Sequence, residues 1–214
     1  LINKNYISDP DFVCKNCYKI FIKFKIYFFI ANRLYKTHIL PCLIIFETIS
    51  LYDDKIQTKM TIEVKISKRL ISYNYSLNFL KRRVKKLKTG KGSELIWLLE
   101  HPTTFTSGIR FDKKDILNNK IKIFQTDRGG KITLHNPGQK IVYLVLNLNK
   151  RQKDIRKLIN IIEKSIIEFL NFFGIKSYAD KKNIGIWVKE KKIAAIGLRV
   201  SRWIAYHGFS ININ

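Results

Sequence analysis

The chain has 214 residues, 46% of them hydrophobic, and a formal net charge of +25. That is enough apolar material for one domain with a core, and no run of 18 apolar residues occurs, so no membrane-spanning helix is expected. The charge alone would fit nucleic acid, an anionic membrane or an acidic protein, but Lys, Ile, Asn, Phe and Tyr, all with A/T-rich codons, are abundant together, so the excess reads first as a solvated basic surface.

Residues 1–59 stand apart. They hold all three cysteines (Cys14, Cys17, Cys42) and no Gly, whereas all ten Gly and the only Met, Met60, follow them. Basic minus acidic residues give 9 − 5 = +4 before Met60 and 32 − 11 = +21 from Met60 onward. The expectation is that Met60 is the true start and that residues 1–59 are an upstream, non-native or poorly ordered extension of a domain spanning 60–214. "FIKFKIYFFIANRL" is apolar, but Lys23 and Lys25 interrupt it, it is too short to span a bilayer, and no small-residue cleavage site follows. Cys14-x2-Cys17 with His38-x3-Cys42 has the ligand types of a zinc site, yet the intervening stretch is greasy and lacks a glycine turn, so no metal is expected.

From Met60 the elements follow in order. "TIEVKI" (61–66) alternates as a strand. Ile71, Leu77, Leu80, Val84 and Leu87 recur at helical spacing, with basic residues at the end and Gly90 beyond, which predicts an amphipathic helix. Residues 95–100 form a buried strand that stops before Pro102. A short helical turn capped by Asp112 comes next, then strands at 121–125 and 140–148. Between Asp154 and Phe173 the apolar residues keep helical spacing up to Gly174, the clearest helix of the chain. "NIGIWVKEKKIAAIGLRV" reads as two strands around a tight turn near Glu190-Lys191, and "RWIAYHGFSININ" as one more. The order predicts an α/β or α+β domain on a mixed, mainly antiparallel sheet flanked by helices.

Three segments carry chemical potential. In "TDRGGKITLHNPGQ" (126–139), Gly129-Gly130 lets backbone approach a ligand, Arg128 is a permanent donor fork, and His135 can donate, accept or shuttle a proton. On these residues alone, a bulged hairpin with a satisfied histidine and a ligand cradle remain equally open. In "KKIAAIGLRV" (191–200), Ala194, Ala195 and Gly197 either let a helix pack closely or floor a narrow apolar slot with Lys192 at one end. "YHGFSIN" (206–212) pairs His207 with an exposed backbone at Gly208.

With "EHPTTFTSG" (100–108) before them, these blocks resemble, in this order, the lipoyl(octanoyl) transferase family over about residues 61–214. Leu134 departs from the family's usual aromatic residue and Asn136 from its common Gly, and both could alter pocket packing. The resemblance implies the catalytic fold of biotin and lipoate protein ligases. It implies transfer of an octanoyl group from octanoyl-acyl carrier protein to a lysine of lipoyl domains, in 2-oxoacid dehydrogenase complexes and the glycine cleavage H protein. It also implies a cytoplasmic, monomeric enzyme acting on no nucleic acid or membrane and using no cofactor or metal, because a thioester is already activated. By the same resemblance Lys192 tunes a Cys nucleophile. The acyl pocket is lined by Arg128, Gly129, Gly130, Lys131, Ile132, Thr133, Leu134 and His135, by Ala195, Ile196 and Gly197, and by Gly208, Phe209 and Ser210. Backbone N–H groups near the glycines would stabilise the oxyanion. The family's Cys lies in a Pro-Cys-Gly turn after the segment matching "YHGFSIN", which would fall beyond Asn214. No Cys follows residue 42 here, so this 214-residue form is expected to be truncated and inactive. The rivals are an ATP-dependent lipoate or biotin ligase and a non-enzymatic basic binding protein.

Overall fold

The computed structural model describes residues 62–112, 114, 116 and 120–213. The upstream extension, its Cys/His cluster, Met60 and Asn214 lie outside the described residues. In chain order the elements are β1 (Ile62–Ile66), α1 (Tyr73–Lys88), β2 (Glu94–Leu99), β3 (Thr104–Ser107), β4 (Ile123–Gln125), β5 (Ile132–His135), β6 (Gln139–Asn147), a 3-10 turn (Leu148–Lys150), α2 (Ile155–Phe172), β7 (Tyr178–Ala179), β8 (Ile186–Val188), β9 (Lys191–Ser201) and β10 (Ile204–Asn212).

A seven-stranded sheet runs β1-β2-β6-β10-β9-β8-β7, and a three-stranded sheet runs β4-β3-β5. Only β1–β2 and β3–β4 pair in parallel. The fold is the mixed, mainly antiparallel α/β architecture the element order predicts. The structure adds β3 and β7, which are too short and too polar to read as strands alone. Of the turn expected after Phe111, Asp112 accepts from Lys114 N–H at 3.1 Å, and much of the rest lies outside the described residues.

The centre of the large sheet is buried on both faces, so β2 and β6 are near-continuous apolar runs. On one face Leu95, Trp97, Leu99, Ile141, Tyr143 and Val145 meet Leu80, Val84 and Leu87 of α1, the i, i+4, i+7 stripe seen in the sequence. Ser72 starts α1 by accepting from Tyr75 N–H at 3.4 Å, and Asp154 starts α2 by accepting from Lys157 N–H at 3.0 Å. The intervening residues of β2 and β6, among them Ile96, Leu98, Val142 and Leu144, are buried on the opposite face. Side chains this fully buried contribute about 1.5–3 kcal/mol each.

One charged pair sits inside this packing. Arg151 donates from both terminal nitrogens to Glu94, at 2.6 and 2.9 Å, and Asn147 N–H adds a third bond to the same carboxylate at 2.6 Å. The side chains are 1% and 3% exposed. Removing one member strands the other charge, so Glu94→Ala is expected to destabilise the domain by about 3–5 kcal/mol, whereas a Glu94→Leu/Arg151→Met double variant regains most of that loss. Denaturant unfolding of the three proteins measures this; equal stability of Glu94→Ala and wild type would contradict it.

Candidate active site

The small sheet and the glycine loop make one wall of a cavity. Residues 107–110 zip onto 126–131: Thr126 N–H donates to Ser107 O (3.0 Å), Ile109 N–H to Arg128 O (3.0 Å) and Arg110 N–H to Gly130 O (3.1 Å). Gly129 N–H then donates across to Leu198 O of β9 at 3.2 Å, tying this wall to the large sheet. A Cβ on Gly108 would stand 2.4 Å from Gly130 O, so only glycine permits that approach.

The large sheet supplies the floor. Register aligns Gln139 with Asn212, Ile141 with Ser210, and Tyr143 with Gly208. On β9, Ala195 faces Ser210 and Gly197 faces Gly208. Side chains two apart share a face, so the floor is a run of small residues along β9 and β10. The cavity is about 520 Å³, within the roughly 300–1,000 Å³ of small-ligand sites. Its charged lining residues are Arg110, Arg128, Lys131, Lys182 and Lys192, and no described Asp or Glu lines it. Lys192 opens β9 at the Asn212 end; Asn212 donates to Lys192 O at 3.4 Å, and the exposed ammonium donates to Ile184 O at 3.3 Å, over the Trp187 ring.

A directional hydrogen-bond chain stiffens the wall. Arg128 Nη2 donates to Thr106 Oγ1 (2.7 Å), which donates to His135 Nε2 (3.3 Å). His135 Nδ1 donates to Gln139 Oε1 (2.6 Å), and Gln139 Nε2 donates to Asn212 Oδ1 (2.8 Å). Burial is the main cause pushing His135 down to about 4, against the opposing bond to Gln139 and with His101 and Arg128 adding to it. The ring is therefore neutral near pH 7, with both nitrogens engaged. His101, fully buried, donates from Nδ1 to Ile71 O (2.6 Å) and accepts from Tyr143 Oη (2.8 Å); burial lowers its pKa as well.

At the other end of the floor, β10 breaks its alternation. His207 has φ 65°, a left-handed value rare for a non-glycine residue. Neighbours in a regular strand point apart, but here Tyr206 and His207 both reach Asp127. His207 Nε2 donates to Oδ1 at 2.8 Å, and Tyr206 Oη donates to Oδ2. The His207 bond is the largest influence holding Asp127 far below the usual carboxylate range, while burial, with the Asp127 contact behind it, pushes Tyr206 up to about 12. Gly208 must follow, because a Cβ there would lie 1.9 Å from Val142 O.

Of the residues the resemblance assigned to the pocket, Arg128, Gly129, Gly130, Lys131, Ile132, Thr133, His135, Ala195, Ile196, Gly197, Gly208, Phe209 and Ser210 line this cavity together with Lys192. Leu134 does not: it alternates away from His135 and is 42% exposed. Asn136 is also exposed, so neither departure from the family pattern sits in the cavity wall. The hairpin reading is corrected too, since β5 joins the small sheet and β6 the large one. The N–H of Gly129 is taken by Leu198 and cannot serve an oxyanion. Asn214, beyond which the resemblance puts the Cys nucleophile, lies outside the described residues, so the described wall ends with Asn212 on β10. Tyr73, Thr106, Asp127, Gln139, Tyr143 and Asn212 complete the site; apart from the Gln139–His135 bond, their contacts join residues far apart in sequence, brought together from α1, the loop after β4 and both sheets.

Residues 72–214 match the family model described as the lipoyl protein ligase A/B catalytic domain. The octanoyltransferase of Bartonella tribocorum is 41% identical over 167 residues, covering 72% of this chain and 68% of that protein. That of Ehrlichia chaffeensis is 43% identical over 159 residues, covering 72% and 74%. Among solved structures, a lipoate-protein ligase A bound with ATP superposes with TM-score 0.56 at 14% identity, over 72% of this chain and 67% of that one, a likeness of fold.

The neutral His135 has a measurable consequence. The unfolded chain binds its proton below about 6.5, whereas the folded chain does so only near 4, so stability is intact above 6.5 and is lost as pH falls toward 4. By pH 5 the loss from this group is about 2 kcal/mol. Unfolding curves at pH 7 and pH 5 should show it, and His135→Gln should flatten the difference; an unchanged difference in that variant would reject a buried neutral His135 as its source.

Proposed function

The chain belongs to the family of the lipoyl protein ligase A/B catalytic domain, as an acyltransferase of the octanoyltransferase kind, and on that premise we propose that it moves an octanoyl group from octanoyl-acyl carrier protein to a lysine of lipoyl domains through a Cys thioester. The acceptors are the lipoyl domains of 2-oxoacid dehydrogenase complexes and the glycine cleavage H protein.

The observation that carries this reading is a cavity floored by small residues with an exposed lysine at one end. The described lining contains no Cys, and the cysteines at 14, 17 and 42 lie outside the described residues. We place the nucleophile beyond Asn214, in a turn after β10. That strand ends at Asn212, hydrogen-bonded to Lys192 O, so a turn leaving β10 emerges beside Lys192. The ammonium there favours thiolate over thiol. The thiolate attacks the octanoyl thioester; the new C–S bond forms as the carrier's sulfur leaves and takes a proton. The acceptor lysine amine then attacks, its C–N bond forms, the Cys sulfur departs, and the amine's proton passes to that sulfur. Both carbonyl carbons are thioesters, so neither step needs ATP. Ala195, Ser210 and the backbone at Gly197 and Gly208 hold the acyl chain.

Two outcomes test this. In the protein translated from the complete gene, Lys192→Ala should lower octanoyl transfer to a lipoyl domain at least 100-fold, read as mass added to that domain; near-wild-type turnover would refute the lysine's role. The 214-residue chain, incubated with octanoyl-acyl carrier protein, should show no octanoyl mass on itself. A stable adduct would overturn the placement of the nucleophile.

A further inference from the structure

We propose that Arg128 is a polar stop that sets the acyl chain length. This rests on the reading above, in which the thioester lies at the Lys192 end and the chain runs along the floor toward Gly197. Along that path the acyl methylenes pass over the rung of Ile141, Ser210 and Ala195, small or apolar side chains with no charge. At the Gly197–Gly208 rung the surroundings change. Gly129 O lies 3.1 Å and Arg128 Cδ 3.5 Å from where a Cβ on Gly197 would be, so the Arg128 side chain, with the carbonyl it holds, caps the end of the floor. Its guanidinium is buried and donates to neutral oxygens: Gly129 O at 2.9 Å, Thr106 O at 3.1 Å and Thr106 Oγ1 at 2.7 Å. The adjacent carboxylate, Asp127, is turned to Tyr206 and His207 instead.

A methylene gains from leaving water only where its new neighbours are apolar. Over the small-residue floor each added methylene should raise affinity about fourfold. A methylene pressed on this end meets the Gly129 carbonyl, which already accepts from Arg128, and covers the little of the guanidinium that is still exposed, both of which are unfavourable. Length is therefore limited by polarity at the end of the floor as well as by space, and the optimum shifts when either the end or the floor is changed.

The test uses S-acyl-pantetheine thioesters of six, eight, ten and twelve carbons, titrated calorimetrically into the 214-residue chain, with thermal melts to confirm folding. Wild type should tighten about fourfold per methylene from six to eight carbons and level off or weaken beyond. Arg128→Met should continue to tighten through ten and twelve. Ala195→Leu, which fills the middle of the floor, should move the optimum to six carbons, and it carries the test if Arg128→Met does not fold. Steady tightening through twelve carbons in wild type, or an optimum that stays at eight in Ala195→Leu, would overturn the stop. Failure of every thioester to bind would instead remove the acyl-pocket reading itself.

Discussion

The site depends on one close contact between backbones. Loop 128–130 is wedged between Gly108, just after β3, and Gly197 in β9, with the Gly129 N–H bonded to Leu198 O of the large sheet. At these distances side chains are excluded, and a Cβ at Gly108 would collide with a carbonyl that has no freedom to move. Without this wedge the two sheets would enclose no cavity. The glycines therefore act as structure first, and the pocket is the gap that remains beside them.

A second constraint fixes the far end. The left-handed φ of His207 is unfavourable locally, on the order of 1–3 kcal/mol, and must be held by its surroundings. Asp127 does this by accepting from Tyr206 and His207 together, which no regular strand would allow. The same carboxylate is thereby withdrawn from Arg128, its neighbour in sequence. The strain in β10 and the turning of Arg128 to neutral oxygens are two results of one arrangement.

Much of the scaffold was legible because it is periodic. The α2 stripe, the α1 stripe and the long strands β6, β9 and β10 are read directly from spacing. The strands β3 and β7 were not, because four and two residues carry no period and become strands only by pairing. In the site, the blocks rich in small residues were visible, but their mutual contacts were not. Thr106 meets His135 across the β3–β5 pair, and Asp127 meets His207 from the loop after β4. Leu134 shows a signal that was present: once His135 faces inward on β5, strand alternation sends its neighbour outward. The hairpin alternative falls for a different reason. The Pro137-Gly138 turn is real, but it hands the chain from one sheet to the other.

The electrostatics divide the cavity by function. Around Arg128, burial lowers the pKa of both His135 and His101, the fixed cation adding to it at His135, and each ring has its two nitrogens engaged. Lys192 stands at the opposite, solvent-open end, its ammonium bonded to a backbone carbonyl. In the proposed transfer protons move at the reacting carbonyl, so the carbonyl belongs at the end where charge can be exchanged with water, and the acyl tail at the buried end.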